Sequence, residues 1–138
     1  MKTIVKTALL DSSQKVLLLK RSVEDDDRPG GWDFPGGGVH EGEDLLHAAA
    51  REILEEAGLD IPMNKLKLVY AGTDFSTAKQ NSQNRLLFIA HVDDVQKVKL
   101  SFEHEMYQWY SIDEAISLWS HPFWPVGLKY AVDHNLLP

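Results

Sequence analysis

The sequence predicts an α/β protein in which helices cover a mixed β-sheet. Residues 3–10 and 15–20 are apolar and rich in β-forming side chains, and the polar turn cluster DSSQ joins them, so they predict an antiparallel hairpin. Further apolar β segments alternate with helix-forming segments that carry capping residues. Strands that alternate with helices and include a hairpin are typical of a mixed sheet with helices packed on it.

The segments after the hairpin predict a loop, a short strand and a helix. VEDDDRPGG, residues 23–31, predicts a solvated acidic loop. WDFP, residues 32–35, predicts a short strand that ends at Pro35, and the glycines that follow predict a loop. Residues 44–57 predict a helix because apolar side chains recur on one face, and Gly58 follows where a left-handed C-cap belongs.

The second half of the chain predicts three more strands and two more helices. The strands are the apolar segments LKLVYAGT, RLLFIAHV and MYQWYSI. Ser111 and Glu114 in SIDE have the spacing of a capping box, which predicts a helix that begins at Ser111. Pro125 predicts the start of a last helix that runs to about His134.

Composition limits the classes of function. A chain of 138 residues predicts one domain, residues 1–138, with a single core. The net charge of −7 argues against binding a nucleic acid polymer, which needs clustered Lys and Arg. The chain has no cysteine and its N-terminus has no apolar stretch long enough for a signal peptide or a membrane span. We therefore expect a soluble cytoplasmic protein with no membrane partner.

Three glutamates crowd the end of the first predicted helix. Glu52, Glu55 and Glu56 lie at i, i+3 and i+4, so they share a face that is separate from the apolar one. Like charges at this spacing destabilise a helix, and acidic residues near a helix C-terminus interact unfavourably with its dipole. A solvated acidic face is one interpretation. A site for a hard divalent cation such as Mg²⁺, which prefers carboxylate oxygens, is the other.

The spacing around these glutamates favours the cation site. Gly37, five residues, Glu43, seven residues and then REILEEAGL resemble the Nudix box at every defined position of residues 37–59. LLLKR, GGWDFPGGG and FEHEMYQWYSIDEA also resemble segments of Nudix hydrolases, and His40 stands where many relatives carry Glu. On these motifs the chain is identified as a member of the Nudix hydrolase family of the MutT-like kind.

This resemblance implies a Nudix fold, a three-layer α/β/α sandwich, and hydrolysis of a nucleoside diphosphate linked to another group. Water would attack at phosphorus with the help of Mg²⁺, or of Mn²⁺ in its place. Arg51 would orient one of the glutamates and Glu43 would tie the loop to the helix. The implied metal ligands are Gly37 through its carbonyl, Glu52, Glu55 and Glu56.

The general base and the substrate contacts stay open at this stage. Relatives take the base from the box helix or from a later loop, so the candidates are Glu55, Glu56 and Glu103. Lys20 and Arg21 are the expected phosphate contacts because they end the second strand beside the box. The nucleobase of the substrate would need an aromatic side chain to stack on. Phe34 is the first choice, with Trp32, Tyr107, Phe123 and Trp124 also available, whereas Phe88 and Trp109 are expected in the core.

The substrate is narrowed only by elimination. Signatures of relatives that act on ADP-ribose, diadenosine polyphosphates and coenzyme A are missing, which favours a nucleoside triphosphate or a related small diphosphate. The C-terminal segment is also similar to that of dihydroneopterin triphosphate pyrophosphatase, so a pterin triphosphate is an alternative. A non-catalytic Nudix domain that senses a ligand is the alternative from another class. Dimers are common among relatives, so a homodimer is an open expectation.

Overall fold

The computed structural model describes residues 1–23, 30–76, 80–119 and 121–138. Most of the predicted acidic loop, residues 24–29, lies outside these described residues. The strands are β1 (Lys2–Leu10), β2 (Val16–Arg21), β3 (Trp32–Asp33), β4 (Gly36–Gly38), β5 (Lys67–Ser76), β6 (Asn81–His91) and β7 (His104–Tyr110). The helices are α1 (Leu45–Ala57), α2 (Ile112–Ser117) and α3 (Phe123–Asp133), with one 3₁₀ turn at Met63–Lys65.

The seven strands form one mixed sheet. The order β3-β2-β1-β6-β5 is the main path, while β4 pairs with β1 and β7 pairs with β2. β1 runs parallel to β6 along its whole length and antiparallel to its other neighbours. The predicted hairpin is confirmed, but β1 and β2 pair only at Leu10 and Val16 because β4 occupies the same edge of β1 nearer its N-terminus.

Helices cover both faces of the sheet, which confirms the three-layer sandwich. On one face, α1 packs on the strands through Ala49, Ile53 and Ala57, which join Val5 and other strand residues in one core cluster. On the other face, α2 and α3 pack through a second cluster that includes Ala115, Trp124 and Leu128. The sheet lies between these two layers, so the side chains along its strands alternate between the two clusters.

The helix ends follow the capping signals. Asp44 caps α1 by accepting hydrogen bonds from the backbone N–H groups of Leu46 and His47, and Gly58 ends it at φ 67°. The capping box at Ser111 is present. α3 begins at Phe123, two residues before the predicted start at Pro125. Pro125 fits inside the first turn because the N–H groups there have no partner within a helix.

The glycine run after Pro35 is a strand, so the prediction of a loop there is wrong. Gly36, Gly37 and Gly38 pair with Lys6, Val5 and Ile4 of β1. A Cβ atom at Gly36 would meet the Val5 carbonyl oxygen and lie 2.6 Å from Lys6 Cα. Glycine is poor in strands in general but permits this close backbone approach.

Replacing Gly36 with alanine is expected to lower the free energy of unfolding by about 3 kcal/mol, because backbone atoms of β1 would have to move. Gly38→Ala is the matched control, since its nearest contact would be the end of the Lys2 side chain at 3.5 Å. Urea denaturation of both variants measures the difference. Equal stability of the two variants would contradict the close-approach explanation.

Candidate active site

A cleft of about 570 Å³ opens between the C-terminal half of α1, the glycine strand β4 and the N-terminal half of β1. Its walls contain both acidic and basic side chains. The acidic ones are Glu52, Glu55, Glu56 and Glu103, and the basic ones are Lys2, Lys6, Arg21, Arg51 and Arg85 with His40 and His121. The three glutamates of α1, the later Glu103 and Arg21 therefore line the same cleft.

Glu56 is the most deeply placed acid in this cleft. The residue is 8% exposed, and one carboxylate oxygen accepts a hydrogen bond from the Gly36 N–H at 2.8 Å. Burial raises the pKa of Glu56 to about 8, although the Gly36 hydrogen bond and the charge of Lys6 act in the opposite direction. Burial also raises the pKa of Glu52, on the next turn towards the N-terminus.

Arg51 holds the loop and two of the glutamates. Its Nε and Nη2 atoms donate to the two carboxylate oxygens of Glu43 at 2.7 and 2.9 Å, which is a bidentate pair. Its Nη1 atom donates to Glu52 at 3.0 Å and to Glu55 at 3.2 Å. The hydrogen bonds from Arg51 hold the pKa of Glu43 well below its usual range. The contacts predicted for Arg51 and Glu43 are present.

The donors on α1 fit a hard divalent cation. Glu52 and Glu56 are desolvated carboxylates whose negative charges repel one another, and a cation stabilises the ionised form of such groups. Gly37 lies directly against this cluster, since a Cβ atom there would be 2.7 Å from a Glu52 oxygen. Among the described residues, no three acidic or histidine side chains are already gathered closely enough to enclose an ion. Glu52 and Glu55 accept hydrogen bonds from Arg51 in this arrangement.

A buried ion pair forms the floor of the cleft, and the sequence did not predict it. Lys6 is 4% exposed, and its Nζ atom lies 2.8 Å from Asp33 Oδ2. The Nη1 atom of Arg21 contacts the same oxygen at 2.9 Å. The available signal was a single lysine inside the apolar strand TIVKTALL, where a charge is buried only with a partner.

A second group that the sequence did not predict lies on β6. Arg85 donates from Nε to Asp74 at 3.1 Å and from Nη2 to Gln83 at 2.8 Å. Both Gln83 and Arg85 line the cleft, as does His121 next to α3. Spacing along the chain could not have found Gln83 and Arg85, because the parallel pairing of β1 with β6 brings them to the site.

Two of the predicted substrate contacts, Lys20 and Phe34, are not among the residues that line the cleft. Lys20 lies outside the residues that line the cleft and pairs with Glu105 at 3.5 Å, because adjacent strand residues point to opposite faces and Arg21 takes the inward position. Phe34 is 0% exposed and packs on Trp119 with ring centroids 4.8 Å apart. Phe34 is therefore a core residue. Phe88 is buried as expected, and Trp109 is partly buried against the same core.

The raised pKa of Glu56 predicts a pH-dependent stability in metal-free buffer. The folded state keeps the Glu56 proton up to about pH 8, whereas the ordinary value is 4.5. The protonated Glu56 carboxyl makes its full contribution to the free energy of unfolding below pH 4.5. This contribution, on the order of a few kcal/mol, is lost as the pH rises through 8. We expect urea denaturation in EDTA to show this loss between pH 5 and pH 9. Glu56→Gln should reduce the slope, and an unchanged slope in the variant would contradict the assignment.

Comparison with known proteins gives the family. The NUDIX domain model matches residues 2–130. The chain therefore belongs to the NUDIX domain family.

Two of the curated relatives are nucleotide hydrolases by name. The chain is 34% identical over 88 residues to the asymmetrical bis(5'-nucleosyl)-tetraphosphatase of Sus scrofa, covering 63% of this chain and 60% of that protein. It is 29% identical to the CTP pyrophosphohydrolase of Escherichia coli, over 81% of this chain and 78% of that protein. The matches to several other curated relatives span only 28% to 60% of their length.

A solved structure has the same fold over nearly the whole chain. The MutT protein from Methanosarcina mazei superimposes with a TM-score of 0.82 at 26% identity, covering 97% of this chain and 94% of that one. Within the described part of this chain, no helix is both long enough and apolar enough to cross a bilayer.

Proposed function

We propose that the chain is a divalent-metal-dependent hydrolase of a nucleoside diphosphate linked to another group. The observation that carries this proposal is the cleft, where three carboxylates of one helix stand opposite cations from the sheet. The family and the names of the pig and E. coli relatives support the same class of reaction. A nucleoside triphosphate or a similar small diphosphate remains the proposed substrate.

The residues that would hold Mg²⁺ are Glu52, Glu55, Glu56 and the carbonyl of Gly37. The bound ion would supply charge neutralisation of the diphosphate and activation of water, and Mn²⁺ is the proposed alternative. Arg51 fixes the carboxylates of Glu52 and Glu55 by its hydrogen bonds. The Gly36 N–H holds Glu56 in place.

Proton transfer and substrate binding are assigned to other groups that line the cleft. Glu55, Glu56 and Glu103 are the candidates for the general base, and each borders the same space. Lys6 and Arg21 present cations at its floor, where Asp33 keeps them in fixed positions. They would bind oxygens of the diphosphate.

A nucleotide panel tests this function. We expect phosphate or pyrophosphate release from at least one nucleoside triphosphate or diphosphate conjugate in the presence of Mg²⁺. Chelation with EDTA should remove the activity, and Mg²⁺ or Mn²⁺ should restore it. Nucleotide binding without any release would instead support the ligand-sensing alternative.

Light scattering of the same sample tests the proposed homodimer. One chain has a mass of 15.6 kDa, so a homodimer would give twice that value.

A further inference from the structure

The end of the cleft away from α1 is built by two parallel strands. Lys2 and Ile4 of β1 lie beside Gln83 and Arg85 of β6 in the register of the sheet. Alternate residues of a strand share one face, so these side chains point to the same side. β6 is one strand further from the glycine strand β4 than β1 is. Arg85 therefore lies away from the carboxylates of α1.

Arg85 is held in a fixed position at this end. Its side chain is only 12% exposed, and Asp74 and Gln83 accept its Nε and Nη2 hydrogen bonds at 3.1 and 2.8 Å. Its guanidinium carbon lies 5.9 Å from the centroid of the Trp124 ring. Within the described residues, its Nη1 atom has no hydrogen-bond partner. A fixed guanidinium with a donor still available suits an anionic oxygen.

Among the described residues, no Phe, Tyr or Trp side chain lines the cleft, so none of these rings is there for a nucleobase to stack on. Residues 24–29, 77–79 and 120 contain no aromatic residue either. Trp124 is 0% exposed, and Lys6 Nζ and Arg85 Cζ lie 5.6 and 5.9 Å from the centroid of its ring. The Trp124 ring therefore lies under two cationic side chains and is covered from a nucleobase.

We infer that Arg85, which lines the cleft beside Gln83 and His121, forms a subsite for an anionic group, phosphate or carboxylate, on the part of the substrate joined to the diphosphate. This inference rests on the proposed function, in which the carboxylates of α1 hold the diphosphate through the metal. Lys6 lines the cleft with the carboxylates of α1 and is the cation proposed above for the diphosphate. Arg85 is held in place by Asp74 and Gln83 through Nε and Nη2. Its Nη1 atom is therefore the donor that can bind the next group along the substrate.

Three uridine compounds test the subsite, because they differ only in the group beyond the diphosphate. UTP carries a phosphate there, UDP-glucuronate a sugar carboxylate and UDP-glucose an uncharged sugar. We expect wild-type kcat/KM to favour the first two over UDP-glucose by roughly tenfold or more. Arg85→Gln should reduce this preference by roughly 10- to 100-fold, and Arg85→Lys, which keeps the charge without the planar fork, should reduce it less.

Lys129→Gln is the matched control, since Lys129 is an exposed cation on α3 whose partner is Asp133. This variant should keep the wild-type preference. Thermal unfolding of each variant confirms that it is folded. A preference for UTP alone would assign the subsite to phosphate, and a preference for both anionic compounds would assign it to anions in general. Equal loss on all three compounds in Arg85→Gln, or no preference in the wild type, would overturn the inference.

The subsite and the hydrolase proposal can fail separately. If the wild type hydrolyses none of the three compounds, the proposed function fails for them. Calorimetric dissociation constants for the same compounds in the presence of Mg²⁺ then take the place of kcat/KM. A preference for anionic compounds that Arg85→Gln removes would still support the subsite, and equal affinities would overturn it.

Discussion

Glu56→Gln is expected to lower kcat/KM by roughly a thousandfold without destabilising the protein. Glutamine can still accept the Gly36 hydrogen bond that the carboxylate accepts at 2.8 Å. It also matches the neutral form that Glu56 favours in metal-free protein, because burial raises the pKa of this carboxyl to about 8. The variant cannot supply a negative charge to Mg²⁺ or accept a proton. The loss would therefore come from chemistry and not from unfolding.

Glu41→Gln is the matched control for this experiment. Glu41 is an exposed glutamate just before α1 and is not one of the residues that line the cleft. It should keep wild-type activity. Steady-state kinetics with a saturating Mg²⁺ concentration, together with thermal unfolding, separates the two effects. Near-wild-type activity in Glu56→Gln would exclude Glu56 as metal ligand and as base.

Asp33→Ala is expected to lower the free energy of unfolding by about 3–5 kcal/mol. The Asp33 side chain is 2% exposed and binds both Lys6 at 2.8 Å and Arg21 at 2.9 Å. Removing it leaves the Lys6 ammonium, itself 5% exposed, without its partner below the cleft. For a domain of this size the midpoint of thermal unfolding should fall on the order of 10–20 °C.

The exposed pair of Lys129 and Asp133 provides the control for burial. Lys129 Nζ lies 3.0 Å from Asp133 Oδ2, close to the 2.8 Å between Lys6 Nζ and Asp33 Oδ2. The side chains of Lys129 and Asp133, however, are 64% and 53% exposed. Asp133→Ala should therefore change stability by only about 0.5 kcal/mol. Calorimetric unfolding of both variants makes the comparison. Similar effects in the two would show that the Lys6 ammonium is solvated through the cleft.

Local signals were sufficient for the helices and for most strands. The caps at Asp44, Gly58 and Ser111 act within one turn of the chain, so their effect is readable from neighbouring residues. Hydrophobic patterns located β1 and β2 in the same way. The glycines of β4 were misassigned because their strand conformation comes from pairing with β1, about thirty residues earlier, and not from their own preference.

The sequence predicted the part of the site on the helix motif, together with Arg21 and Glu103 from segments that resemble those of relatives, but it missed other residues that reach the cleft through the sheet. Glu52, Glu55 and Glu56 share one helix, so helical spacing alone brings them to one face. Asp33 and Arg85 reach the cleft through the sheet, and neither belongs to the helix motif. Phe34 shows the opposite error, because it was expected to offer an aromatic face to the substrate, whereas its ring lies in the core.

By itself the sequence determined the family and the acidic face of α1, because each depends on residues close together in the chain, and the sandwich fold followed from the resemblance to that family. The tertiary structure alone decided which cations stand opposite those carboxylates, which lysine is buried and which aromatic ring is covered. These features depend on strand order and register, which join residues as distant as Lys6 and Leu87. Such pairing results from the packing of the whole chain, and no short motif encodes it.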